Sequence, residues 1–541
     1  MPPPPPPAAD SVERIPWKAV IAGLVVLAVL SAAASVWILR RDDDNDNPRV
    51  HDTSAPASSA AEPEAGRESE AGRDSEASPA GADSDGAAET TPRPAREQAV
   101  TESDDKILPE LGNRGYDVTN YDVALDWDGT ELSGKATITL SATEKLSRIS
   151  FDLVDLTVTN ATVDGAAADV SATADEVVLA LVSPVDKGDT ATVVIAYSGD
   201  PDEDDLWSGW HSGDFGVVAM GEPRNLSFWA PANDHPSDKA TYDITIDAPA
   251  GMHAIFNGKP DETTKGLITA APDNVGHRYT YHAAEPRATY LNLILIGDYR
   301  YVEEAPSPGG VPIRHVLPAN GLKDYERQLA QVGSYVDALA QWFGDYPFDE
   351  YGVAVPAGFS LPGAIETQTL SLHDASTLSQ DILIHELAHQ WYGNSVTIEQ
   401  WNDVWLNEGF ATYAERLGDY NSTANDMGID ELADAPDLDV APLSVDADDM
   451  FDAVSYFRGA LTLHAVRLTI GEDDFRTLLK RWAADNQFAN VTTDDFEALA
   501  EQVSGEQLDD LFDAWLREDP VPDLPEQADQ AEPEEAEPGG A

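Results

Sequence analysis

Apolar and polar positions change rhythm along this chain, and each rhythm predicts a different kind of segment. Ala19–Leu39 (AVIAGLVVLAVLSAAASVWIL) contains no charge, and as a helix it would span a hydrocarbon layer of about 30 Å. Arg14 and Lys18 precede it, Arg40 and Arg41 follow it, and Trp17 and Trp37 stand near its ends, where amphipathic rings suit a membrane interface. The apolar run continues through Trp37-Ile38-Leu39, past the A-x-A pattern at Ala32–Ala34, so an uncleaved anchor is expected. Signal cleavage and secretion is the alternative. Residues 1–18 form a short Pro-rich N-terminus. Residues 40–106 have almost no large apolar side chain and read as a disordered acidic linker. A solvated spacer after an anchor places the body on the extracytoplasmic side.

From about residue 107 the period is two. Tyr121, Val123, Leu125 and Trp127 alternate with Asp122, Ala124 and Asp126, and similar alternation occurs at Ala136-Ile138-Leu140 and Tyr242-Ile244-Ile246. Half-buried strands produce this pattern, so 107–305 is expected to be a mainly antiparallel β domain. After Ala305-Pro306-Ser307-Pro308-Gly309-Gly310 the period lengthens. Leu322, Tyr325, Leu329, Val332, Val336, Leu339 and Phe343 recur every three or four residues and predict one long amphipathic helix. Helical patterns dominate 311–517, and 518–541 is a disordered acidic tail. The fold class is therefore α+β and multidomain, without internal repeats.

Charge narrows the partners. The 541 residues include 99 Asp and Glu against 32 Lys and Arg, for a net charge of −67, which repels phosphate backbones and excludes a general nucleic-acid binder. The tail carries −9, residues 42–106 carry −12 and residues 107–517 carry −48, so the folded surface is itself acidic, as suits hydration in concentrated salt. There is no cysteine. Disulfides, thiol catalysis and cysteine-based metal sites are excluded, leaving His, Asp and Glu to hold any metal.

One segment carries ligands of that kind. In DILIHELAHQWYG, His385 and His389 are four residues apart, one helical turn, so both imidazoles can face one tetrahedral metal. Glu386 would lie beside a water polarised by that metal and can take its proton. Glu408, in WLNEGFATY, follows His389 after eighteen intervening residues and supplies a third ligand. Two His and one Glu leave a fourth position open, the arrangement of a catalytic zinc. His235, His315, His373 and His464 have no ligand spacing and read as structural or surface residues.

These motifs resemble the membrane alanyl aminopeptidase (aminopeptidase N) family of gluzincin zinc metallopeptidases. The zinc signature is matched in full, together with QWYGNSVT, WLNEGFATY, YPFDEYG (346–352), NLSFWAPANDHPSDKATYDITI (225–246) and YLNLILIGDYR (290–300). The resemblance covers about 110–517 and implies a β domain followed by a mainly helical, thermolysin-like catalytic domain. It also implies one zinc ion, and peptide substrates with a free N-terminus. The family's G-x-M-E-N segment is approached by Gly363-Ala364-Ile365-Glu366-Thr367, where Glu366 would bind the substrate's α-amino group. Thr367 replaces a hydrogen-bonding amide, which bears on amino-acid preference. Glu222, in Gly221-Glu222-Pro223-Arg224, is the match for a second amine-binding residue. Tyr456, in Tyr456-Phe457-Arg458-Gly459-Ala460, matches the tyrosine that donates a hydrogen bond to the transition-state oxyanion.

The resemblance thus implies aminopeptidase chemistry, and because only the acidic tail follows the WLRED run at 515–519, a two-domain form with a more open site able to admit longer peptides is expected. A zinc endopeptidase with relaxed N-terminal recognition, an inactive peptide-binding surface protein and a related lipid-epoxide hydrolase are the competing expectations. The preferred N-terminal residue, the physiological substrate and the oligomeric state are not legible in the sequence.

Overall fold

The computed structural model describes residues 103–526, apart from 174, 202, 418–427 and 437. The expected membrane segment, nearly all of the linker and most of the acidic tail lie outside the described residues. Among the described residues no helix is long and apolar enough to cross a membrane.

A β-rich domain comes first, and its strands follow the period-two pattern. In Tyr116–Trp127, Tyr121, Val123, Leu125 and Trp127 are buried while Asp122, Ala124 and Asp126 are exposed. This strand lies inside an eight-stranded sheet, between Leu132–Ala142 and Ala240–Ala248. Its pairing with Ala240–Ala248 is parallel, a departure from the otherwise antiparallel order. Tyr121 and Tyr242, brought opposite each other by that register, stack with ring centroids 5.3 Å apart. A five-stranded sheet (His253–Phe256, Ile294–Gly297, Gly216–Gly221, Ser208–Gly213, Glu203–Asp205) carries the hairpin Ser208–Gly221, which leads directly into Glu222. A three-stranded sheet pairs Leu146–Asp152, Glu176–Val185 and Asp169–Ala172.

The second domain is mainly helical but opens on a sheet that the sequence pattern does not reveal. Its order is Tyr299–Glu303, Arg314–Pro318, Gly352–Ala354, Leu370–His373, Ala364–Ile365. Tyr299–Glu303, which the alternation groups with the first domain, pairs here with Arg314–Pro318. The expected single helix over 322–343 is two, Leu322–Leu329 and Val332–Phe343. The break falls at Ala330 and Gln331, with Gln331 as the N-cap of the second helix; Gly333, a poor helix former, lies in the first turn after it. The helices Gln380–Ala388 and Trp405–Leu417 then carry the ligand motifs.

Lys239 and Asp105 are among the described residues that join the domains. Lys239 Nζ donates to the carbonyls of Asn394 (3.1 Å) and Ser395 (2.9 Å) and to Thr397 Oγ1 (2.8 Å), the loop that follows the first ligand helix. Asp105 Oδ2 accepts the Trp401 amide (2.7 Å) and lies 3.1 Å from His235 Nε2, so the residues entering the fold bridge both domains.

Candidate active site

The first ligand helix begins at Ser379, whose hydroxyl caps the Ile382 amide, and ends at His389. His385 and His389 face one way, with ring centroids 4.8 Å apart. Glu408 lies in the first turn of the second ligand helix. Its Oε2 is 3.2 Å from His385 Nε2 and 3.6 Å from His389 Nε2. The three ligand atoms lie within 4.8 Å of one another, a spacing that a single tetrahedral ion can bridge. Burial raises the Glu408 carboxyl, but His389 and His385 outweigh it and hold it at about 2. Burial opposes a proton on His385, yet Glu408 and Glu415 raise its pKa well above the ordinary value. Surroundings that favour a proton so strongly also favour a metal cation.

Glu415 was not singled out in the sequence. Its Oε1 lies 2.8 Å from His385 Nδ1, which fixes the ring and leaves Nε2 for a metal. The signal was available, because Glu415 follows Glu408 by seven residues, two turns along the same helix face. His389 Nδ1 is held by the Tyr392 carbonyl at 3.2 Å. The ligand set and its outer hydrogen bonds therefore fit zinc.

Glu386 is buried beside the ligands. Burial pushes its carboxyl up to about 8 against the pull of His385 and His389, and a dication at the ligand cluster would draw it down again. Tyr456 stacks on His385, with centroids 5.9 Å apart and planes at 15°. It is carried on a π-helical turn, Val454–Arg458, that leads into the helix Gly459–Ile470. Gly409 lies against Gly459 at the crossing of the two helices, so the residue after Glu408 touches the segment that carries Tyr456.

Glu366 follows the edge strand Ala364–Ile365 and is almost fully buried. Its carbonyl accepts Asn394 Nδ2 (2.7 Å) and Gln390 Nε2 (3.1 Å), tying it to the loop after His389. A Cβ on Gly363 would lie 2.6 Å from the Trp207 Cη2, so a larger residue there would displace the half-buried Trp207 ring. Thr367 donates its hydroxyl to the Leu370 carbonyl, so it serves its own turn. Glu222 arrives from the β domain, and its electrostatic neighbours are Glu366, Glu408 and Glu386. Glu222 Oε1 and Glu366 Oε1 are both shut off from solvent without a hydrogen-bond partner among the described residues. Burial, with the neighbouring carboxylates, raises the Glu222 pKa well above its ordinary value; burial also raises that of Glu366.

His235, one of the histidines without ligand spacing, is buried beside Asp105 and Ser237. His315 and His373 are also buried.

Residues 117–291 match the Peptidase M1 N-terminal domain, and residues 341–515 match the Peptidase family M1 domain. The structure resembles a crystal structure of a mutant M1 zinc metallopeptidase from Deinococcus radiodurans bound to a Tyr-Ser-Ala substrate. The TM-score is 0.71 and the identity 32%, covering 79% of this chain and 100% of that one. Aminopeptidase M1 of Arabidopsis thaliana is 27% identical over 337 residues, 57% of this chain and 37% of that protein. Aminopeptidase N of Rattus norvegicus is 29% identical over 331 residues, 53% of this chain and 34% of that protein. The chain thus spans little more than a third of the length of these two relatives.

Proposed function

The chain belongs to peptidase family M1, and from that premise we propose that it is a zinc-dependent aminopeptidase hydrolysing the first peptide bond of peptides. One observation carries the exopeptidase reading: two buried carboxylates, Glu222 and Glu366, each with an unpartnered oxygen, converge beside the ligand cluster. An α-ammonium supplies both the charge and the N–H donors they lack. A blocked N-terminus or a mid-chain peptide supplies neither charge nor enough donors.

His385, His389 and Glu408 would hold zinc, which supplies a Lewis acid that polarises the scissile carbonyl and acidifies water. Glu386 takes the proton of the attacking water and passes it to the departing amine. Tyr456 donates its phenolic hydrogen to the oxyanion that forms at the carbonyl. Glu222 and Glu366 fix the register by holding the ammonium, so the first peptide bond lies between Glu386 and Tyr456.

The test uses the full chain with zinc and a panel of free and N-acetylated aminoacyl amides. Turnover of free amines only, abolished in Glu386→Gln and with raised KM in Glu366→Ala, is the expected result. Equal cutting of acetylated substrates would make the protein an endopeptidase, and stoichiometric zinc without turnover would make it a peptide-binding protein. The same proposal places the body outside the cytoplasm, anchored through residues 19–39. Its support is the uncharged run between Lys18 and Arg40 and the spacer-like composition that follows. A reporter fused after Arg41 tests that orientation.

A further inference from the structure

Arg458 is wholly buried, and each of its five N–H donors meets a separate backbone carbonyl. Nε donates to Trp515 (2.8 Å), Nη1 to Leu438 (3.0 Å) and Val440 (2.9 Å), and Nη2 to Ala514 (3.1 Å) and Glu518. Ala514 and Trp515 belong to the last helical turn, Asp513–Arg517, and Glu518 is its C-cap. Carbonyls at a helix C-terminus have no partner within the helix and favour a cation. Leu438 and Val440 lie in a separate irregular stretch. One guanidinium therefore ties two distant segments to the π-helical turn Val454–Arg458, which carries Tyr456 two residues earlier. Such turns are rare and occur frequently at functional sites.

We infer that Arg458 is a positioning residue for Tyr456, and that the chain segment 514–518 helps to set the oxyanion donor although it touches no reacting atom. A lysine offers three donors for five carbonyls, so at least two would be left buried and unpaired. This inference rests on the aminopeptidase reading of the same site. The test is a double-mutant cycle on the zinc-loaded full chain with a free aminoacyl amide. Arg458→Lys is expected to lower kcat by about 10- to 100-fold, with KM and zinc content unchanged. In a Tyr456→Phe background the same substitution is expected to change kcat by less than about twofold, because both act through one phenol.

If Arg458→Lys does not fold, Trp515→Leu loosens the same turn while keeping every carbonyl, and the same cycle is expected. An unchanged kcat, a change confined to KM, or an equal loss with and without Tyr456 would overturn the inference alone. A wild type inert toward free amines would instead overturn the aminopeptidase reading, and this inference with it.

Discussion

Replacing Gly409 with alanine tests whether the crossing of two helices sets the distance across the site. In an ordinary helix Gly→Ala is favourable by about 0.8–1 kcal/mol. Here the added Cβ would lie 2.7 Å from the Gly459 carbonyl carbon, 2.8 Å from its Cα and 3.2 Å from the Ala460 nitrogen. Carbon atoms rest at about 3.5–4.0 Å, so the helices must part by roughly 1 Å. All three obstacles are backbone and cannot swing aside. Overpacking of this kind costs about 1–3 kcal/mol, reversing the usual sign and lowering Tm by roughly 2–12 °C for a domain of this size. Because Glu408 precedes one glycine and Tyr456 stands three residues before the other, the separation also spreads the zinc ligands from the phenol. A displacement of about 1 Å near reacting groups costs about 100-fold in rate. Thermal unfolding and kcat at a temperature well below the transition, with zinc content checked, separate the two effects. Gly409→Ala with wild-type Tm and kcat would refute the reasoning, and a lowered Tm with unchanged kcat would confine the contact to stability.

Glu415→Ala is expected to weaken zinc affinity by about 10- to 100-fold, with Glu415→Gln between it and wild type; competition with a chelator measures this, and unchanged affinity would remove Glu415 from the zinc site. Glu176 stands opposite Asp152 across paired strands, and burial pushes its carboxyl from 4.5 up to about 7. Between those values the folded chain holds more protons than the unfolded chain, so this group's contribution to stability declines as pH rises through that window. Glu176→Gln should therefore melt above wild type at pH 8, by a margin that fades toward pH 4; a margin independent of pH would contradict the assignment.

What the sequence disclosed depended on how local the physics was. His385 and His389 were legible because one helical turn joins them, and Glu408 because its motif is distinctive. The strands of the β domain showed themselves because one face of each is buried. Gly352–Ala354 and Ala364–Ile365 are too short to display any period, so the sheet that presents Glu366 was invisible. The parallel pairing of Tyr116–Trp127 with Ala240–Ala248 joins segments far apart in the chain and leaves no mark in either. The break between Leu329 and Val332 was hidden because both helices bury the same kind of face. Glu415 stands two turns along the Glu408 helix face and is legible there; the unpartnered oxygens of Glu222 and Glu366 appear only once two domains are placed together.

Asp105 gives the junction between the domains a mechanical meaning. Its carboxylate is fixed at once to the Trp401 amide, ahead of the helix that carries Glu408, and to His235 in the β domain. Burial raises its pKa, but the His235 and backbone hydrogen bonds outweigh this and hold it at about 2, so it remains a charged rivet throughout the physiological range. Any tension applied to the chain ahead of residue 103 would enter the folded body at this seam and load both domains together. A recombinant fragment begun at residue 107 would lack the rivet, and fragments intended to keep the seam closed should start upstream of Asp105.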